Sequence, residues 1–140
     1  MIIASNYRVE RDYDADIFYA YVGRLENYLN VSELYSIRNI KLHDFSVFGN
    51  PLKMNSEKNR NDVCDKYESI WPNIAKQFSS YVDALYEKYM EGIDIKLVCF
   101  CKPKRCHADT IVRYIENKCG KTIFSNYIPK FTTKIIDWEM

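Results

Sequence analysis

The sequence predicts an α/β domain with a mainly parallel central sheet flanked by helices. Three observations lead there. The run Ile95-Lys96-Leu97-Val98-Cys99-Phe100 is apolar apart from Lys96, as in a strand covered on both faces. Stretches of helical periodicity separate it from earlier apolar runs, so strands and helices interleave. Only four glycines and four prolines punctuate the chain, with no internal repeat and no low-complexity segment. At 140 residues and 47% hydrophobic content, the chain makes one domain, 1–140. A domain of that size buries roughly two thirds of its unfolded surface.

The elements follow in order. Ile2 to Val9 reads as a first strand, and Glu10 to Asp16 as a polar loop. Ile17 to Val22 suits a second strand, ended by Gly23-Arg24. Leu25 to Ile40 carries partial helical spacing through Leu25, Leu29, Leu34 and Ile37, and reads as irregular with a short helix. Phe45 to Phe48 runs into the turn Gly49-Asn50-Pro51. Asn55 or Ser56 can cap a helix that carries Val63, Tyr67, Ile70 and Trp71 on one face and ends near Trp71. Pro72 fits the first turn of a second helix. Its stripe is Ile74, Phe78, Tyr81, Val82, Leu85 and Tyr89, and Gly92 ends it. Ile95 to Phe100 is the expected central strand. A last helix runs from about His107 to Lys118 and closes at Gly120. The tail 127–140 holds Ile135-Ile136-Asp137-Trp138, an expected edge strand.

Composition excludes several classes. Twenty basic and 19 acidic residues give a net charge of +1, against the strong basic stripe of a nucleic-acid binder. No apolar stretch is long enough to span a membrane, and the first residues lack the pattern of a signal peptide. Five cysteines without an export signal read as reduced thiols in a cytoplasm.

The chemistry concentrates in Cys99-Phe100-Cys101-Lys102-Pro103-Lys104-Arg105-Cys106-His107, which holds three of the five cysteines and one of the two histidines. The block joins the expected central strand to a helix start, where open α/β sheets place ligands. Three thiols and an imidazole are a legitimate zinc set. On a continuing strand, however, Cys99 and Cys101 stand about 7 Å apart. Zinc sulfurs lie about 2.3 Å from the ion, so the spacing disfavours a metal and no cofactor is expected. Cys106 near the helix start, beside Lys102, Lys104 and Arg105, has the setting of a lowered thiol pKa, with His107 as acid or base. The same basic turn and helix N-terminus also make an anion site, Lys102 contributing its charge. Asp109 would then meet a hydroxyl or stabilise the helix start. Plain packing is the first account of Cys101 and Cys106, ahead of the anion site and the reactive thiol. Cys64 and Cys119 read as packing residues; His43 and Asp44 read as surface residues.

The pieces Tyr21-Val22-Gly23-Arg24, Gly49-Asn50-Pro51, Arg60 followed by Val63 and Tyr67, and Leu97 to Asp109 occur in one order. That order resembles domain-of-unknown-function family 4326, common in phages and bacteria. The family pattern is roughly an "IGR" turn, "GNP", an Arg-led helix with a tyrosine, then "CxCxPxxCHGD". The resemblance covers about 21–116, and its cysteine block is the specific part. Two departures stand out: 25–48 intervenes between the first two motifs as an insertion, and Ala108 replaces a glycine. The resemblance implies a Rossmann-like domain binding something nucleotide-like. With the Lys/Asn/Ile/Tyr-rich composition, it also implies a phage or prophage origin and hence a host cytoplasm.

The expected site therefore lies at the carboxyl end of the central strand. Gly23 allows close approach, and Arg24 and Arg60 contact an anion. Gly49 and Asn50 offer backbone and amide groups. Cys101 and Lys102 join this ligand-binding set, while Cys106, His107 and Asp109 are the catalytic candidates. The expected ligand is a nucleotide, nucleoside or NAD-derived molecule. It is either held, as by a phage protein that sequesters or cleaves a nucleotide signal in counter-defence, or turned over by a cysteine/histidine-dependent hydrolase or transferase. A small protein docking on a host protein is the other reading. A homodimer stays open.

Overall fold

A computed structural model describes residues 1–24, 34, 39–52, 54 and 56–124, with side chains through 118. Among these residues four strands form one sheet: β1 Ile2–Asn6, β2 Ile17–Tyr21, β3 His43–Asp44 and β4 Asp94–Cys99. Their spatial order is β1-β4-β2-β3, and every neighbouring pair is parallel. The expected central strand is thus internal, with Leu97 opposite Ala4 on one side and Ala20 on the other. The described helices are α1 Arg60–Gln77, α2 Ser79–Met90 and α3 Ala108–Phe124.

The alternation of β4 explains why nearly every residue in it is apolar. Ile95, Leu97 and Cys99 face a core shared with Ala20, Val22, Tyr67, Trp71, Leu85, Ile111 and Ile115, so α1, α2 and α3 cover this side. Val98 faces the other side, where Tyr7, Tyr19, Tyr21, Leu34, Ile40 and Leu42 gather. The segment expected as an insertion therefore supplies the cover of the second face through Leu34, Ile40 and Leu42. Burying each large apolar side chain stabilises the fold by roughly 1.5–3 kcal/mol. Lys96, the polar exception, reaches the buried Glu10 carboxylate at 3.0 Å, and Glu10 also accepts a short hydrogen bond from Ser5. That buried pairing fixes the chain after β1.

Several boundaries differ from expectation. The first strand stops at Asn6, whose side chain accepts from the Arg8 amide and opens a 3-10 turn, Tyr7–Val9. Phe45-Ser46-Val47-Phe48 is not extended: Ser46–Phe48 is a 3-10 turn entered through the Asp44 carboxylate, which accepts from the Ser46 amide. His43 is half-buried and stacks on Phe18 with ring centroids 4.2 Å apart, so it is not a plain surface residue. Pro72 lies inside α1 rather than opening a new helix. It is exposed while Trp71 and Ala75 face the core, so its ring sits on the solvent side. The chain breaks instead at Phe78, with φ −112° and ψ 43°. The last helix runs through Gly120, whose cost in a helix interior is only about 1 kcal/mol. The expected short helix within Leu25–Ile40 falls largely outside the described residues, as do Asn55, the tail strand and the surroundings of Cys119. No helix among the described residues is long and apolar enough to cross a membrane.

Candidate functional site

The loops that leave the carboxyl ends of β2 and β4 enclose a cavity of about 300 Å³. Tyr21, Phe100, Leu52, Met54 and Val63 supply its aromatic and aliphatic lining. Gly23, Arg24 and Asn50, then Arg60, Cys64 and Arg105, and finally Cys99, Cys101, Cys106 and His107 complete the lining. Of the expected site residues, the fold thus gathers Gly23, Arg24, Asn50, Arg60, Cys101, Cys106 and His107 around one space. Gly49, Lys102 and Asp109 are not in the lining.

The glycines are there for close approach. A Cβ on Gly23 would stand 2.6 Å from the Tyr21 hydroxyl oxygen, which itself donates to the Arg24 carbonyl at 2.8 Å. A Cβ on Gly49 would stand 3.1 Å from Arg24 Cγ and 3.2 Å from the Gly23 carbonyl. The Gly23-Arg24 turn and the Gly49-Asn50-Pro51 turn are therefore packed against each other, and Gly49 supports Arg24 from behind. Asn50 Oδ1 accepts from the Leu52 amide at 2.9 Å, an Asx turn that holds the rim. Arg24 is exposed at the mouth, and among the described residues no hydrogen bond or ion pair engages its guanidinium.

Arg60 has a different character. Its Nε and Nη2 form a fork on Glu57 at 2.9 and 2.6 Å, and its Nη1 donates to the Arg105 carbonyl at 2.9 Å. In return Arg105 reaches the Asn61 carbonyl at 3.2 Å, Asp65 at 2.8 Å and Glu68 at 3.1 Å, all on α1. The two arginines thus fasten the cysteine loop to α1 from opposite directions. Lys102 and Asp109 fasten it at the other end: they pair at 2.6 Å, and Asp109 also accepts from the Cys106 amide at 3.2 Å. Asp109 accordingly sits as a carboxylate at a helix start does.

The sulfur atoms of Cys99, Cys101 and Cys106 all lie within 4.8 Å of one another, with Cys99 Sγ 2.9 Å from Cys106 Sγ. The strand-based spacing of about 7 Å does not hold, because β4 ends at Cys99 and the chain bends before Cys101. Within this cluster the Cys101 thiol is the one pulled down and the Cys106 thiol the one pushed up. Hydrogen bonds from the Cys106 and Cys99 thiols, then from the Arg60 guanidinium, hold Cys101 far below the usual thiol range. Cys106 is pushed up because it donates to Cys101 and Cys99 and is buried; Cys99, the other donor, is pushed up to about 11. The Ala108 amide does reach Cys106 Sγ at 3.4 Å, but the neighbouring sulfurs outweigh it. Cys64, which donates to the Arg105 carbonyl at 3.8 Å, is raised chiefly by burial.

His107 is buried and packs edge-on against Tyr67 at 5.0 Å between ring centroids. Its Nε2 lies 2.7 Å from the Val22 carbonyl, so Nε2 carries the proton. Nδ1 then presents a lone pair, 3.6 Å from Cys106 Sγ. Burial lowers its pKa below the ordinary histidine value. Sequence reasoning missed the aromatic walls and the role of Arg105. Phe100 stood inside the quoted motif and Tyr21 at its edge, but neither carries a sequence signal separating a pocket wall from core. No curated protein and no solved structure matches the chain. The family model described as "Domain of unknown function (DUF4326)" does match, over residues 6–117, a span that takes in the end of β1 as well as every motif of the cavity. The chain therefore belongs to the DUF4326 family.

Proposed function

We propose that this cavity binds an anionic small molecule of nucleotide, nucleoside or NAD-derived type, with Arg24 holding the anionic group. One observation carries the reading: an arginine without a described partner stands at the mouth of a largely apolar cavity at the carboxyl edge of a parallel sheet. Tyr21 and Phe100 offer aromatic surface to a planar ring, and Asn50 offers its amide nitrogen. Arg60 serves the loop and Cys101 rather than the ligand. The finer reading is a phage protein that holds a nucleotide signal inside its host. It rests on the family resemblance together with the pocket, and it predicts recovery of intact ligand after denaturation.

The test is calorimetric titration of the protein with AMP, ATP, NAD and ADP-ribose. The expected result is stoichiometric binding of at least one, weakened roughly ten- to hundredfold by Arg24→Ala, the worth of a charge-assisted hydrogen bond. Binding of none of them, or binding indifferent to Arg24→Ala, contradicts it. A second reading has its own observation: Cys101 lines the cavity, and the neighbouring thiols pull its pKa below the usual thiol range. A transferase or hydrolase using that thiol would turn the ligand over and lose turnover, with binding kept, in Cys101→Ser.

A further inference from the structure

We propose that Cys99, Cys101 and Cys106, with Nδ1 of His107, form a binding site for one soft divalent cation, zinc before others. Three independent features of the site point there. The first is proximity. Tetrahedral zinc with bonds of about 2.3 Å to sulfur separates its sulfurs by about 3.8 Å. The three sulfurs here lie between 2.9 and 4.8 Å apart, so small side-chain rotations bring them onto one ion.

The second is the imidazole. A histidine that ligates a metal through one nitrogen usually donates the other to a carbonyl or carboxylate, which fixes the tautomer and the ring plane. His107 has that arrangement: Nε2–H points at the Val22 carbonyl, and the free Nδ1 lies beside Cys106 Sγ. The third is charge. Three thiolates and a neutral imidazole on a dication leave one negative charge, and the Arg60 guanidinium lines the same cavity as the Cys101 sulfur. Soft thiolates with one imidazole in tetrahedral array select zinc over magnesium or calcium, which prefer oxygen. Binding releases the thiol protons to solvent, with no oxidation and no covalent bond between sulfurs. Set at the cavity edge, the ion would also place a positive centre next to the ligand. The site itself does not rest on the nucleotide reading and is tested without any nucleotide.

The experiment titrates the reduced, chelator-stripped protein with Co²⁺ as a spectroscopic stand-in, then displaces it with Zn²⁺. The expected result is one ion per chain, a thiolate-to-cobalt charge-transfer band and the visible bands of a tetrahedral site. Both should be lost in Cys101→Ser and kept in Cys64→Ser, whose sulfur lies outside the trio. Zinc X-ray absorption on the unaltered protein guards against a variant that merely unfolds. It should read three sulfurs near 2.3 Å and one nitrogen near 2.0–2.1 Å. No stoichiometric uptake, uptake indifferent to Cys101→Ser, or zinc surrounded only by nitrogen and oxygen overturns the proposal.

Discussion

His107 Nε2 lies 2.7 Å from the Val22 carbonyl oxygen, a bond that joins the start of α3 to the end of β2 across the edge of the cavity. It is buried, so removing the ring leaves that carbonyl without its partner. His107→Ala should lower stability by about 1–3 kcal/mol. Denaturant unfolding in the presence of a chelator measures this free of any metal contribution. An unchanged midpoint would mean that the bond does not hold the two elements together.

The reciprocal fastening of Arg60 and Arg105 makes a claim about the loop rather than the fold. Lysine at position 60 keeps the charge but cannot make the Glu57 fork and also reach the Arg105 carbonyl. Arg60→Lys should therefore speed amide hydrogen exchange across 100–107 while β4 stays protected. Exchange that is unchanged in the loop, or raised equally throughout, would argue against it.

The two close-approach glycines should separate stability from binding. Gly23→Ala puts a methyl 2.6 Å from the Tyr21 hydroxyl oxygen, within a buried ring and its bond to Arg24, and should cost about 1–3 kcal/mol. Gly49→Ala meets its neighbours at 3.1–3.2 Å, a milder crowding that falls partly on the Arg24 side chain. Its larger effect should be on nucleotide affinity. Thermal unfolding and calorimetry on both variants check the contrast.

The other end of the sheet predicts a pH effect. Burial first, then Lys41 and Lys88, lower the pKa of His43 below its ordinary 6.5. The groups facing it also include the Phe18 ring and, in the same surface pocket, Asp16. The unfolded chain therefore binds a proton near pH 6 more readily than the folded one. Stability should be full above pH 6.5 and decline as pH falls below it. In His43→Gln the midpoint of thermal unfolding should vary less between pH 7 and pH 5.5.

How far the sequence reaches is clearest along β4 and its exit. The unbroken apolar run from Ile95 announced a strand buried on both faces, and its cysteine-rich end announced a site. Gly23 and Gly49 could be suspected because glycine at a strand exit permits close approach, though not that they pack against each other. Cys101 could not be placed by strand spacing, because that spacing fails one residue after the strand ends. The setting of the thiols was likewise only half visible: a helix N-terminus can be read from a sequence, whereas three sulfurs within 4.8 Å of one another cannot. Pro72 shows the same limit. Its preference for a first turn is local, and the solvent-facing side of an 18-residue helix overrides it.

Backbone amide NMR of the isotope-labelled protein, with and without the nucleotide that binds tightest, tests the proposed pocket most directly. Saturable shift changes should cluster at Gly23, Arg24, Asn50 and the loop 100–107. No shift with any nucleotide, or changes centred on Lys41, His43 and Lys88 at the opposite sheet edge, would contradict a ligand site between the exits of β2 and β4.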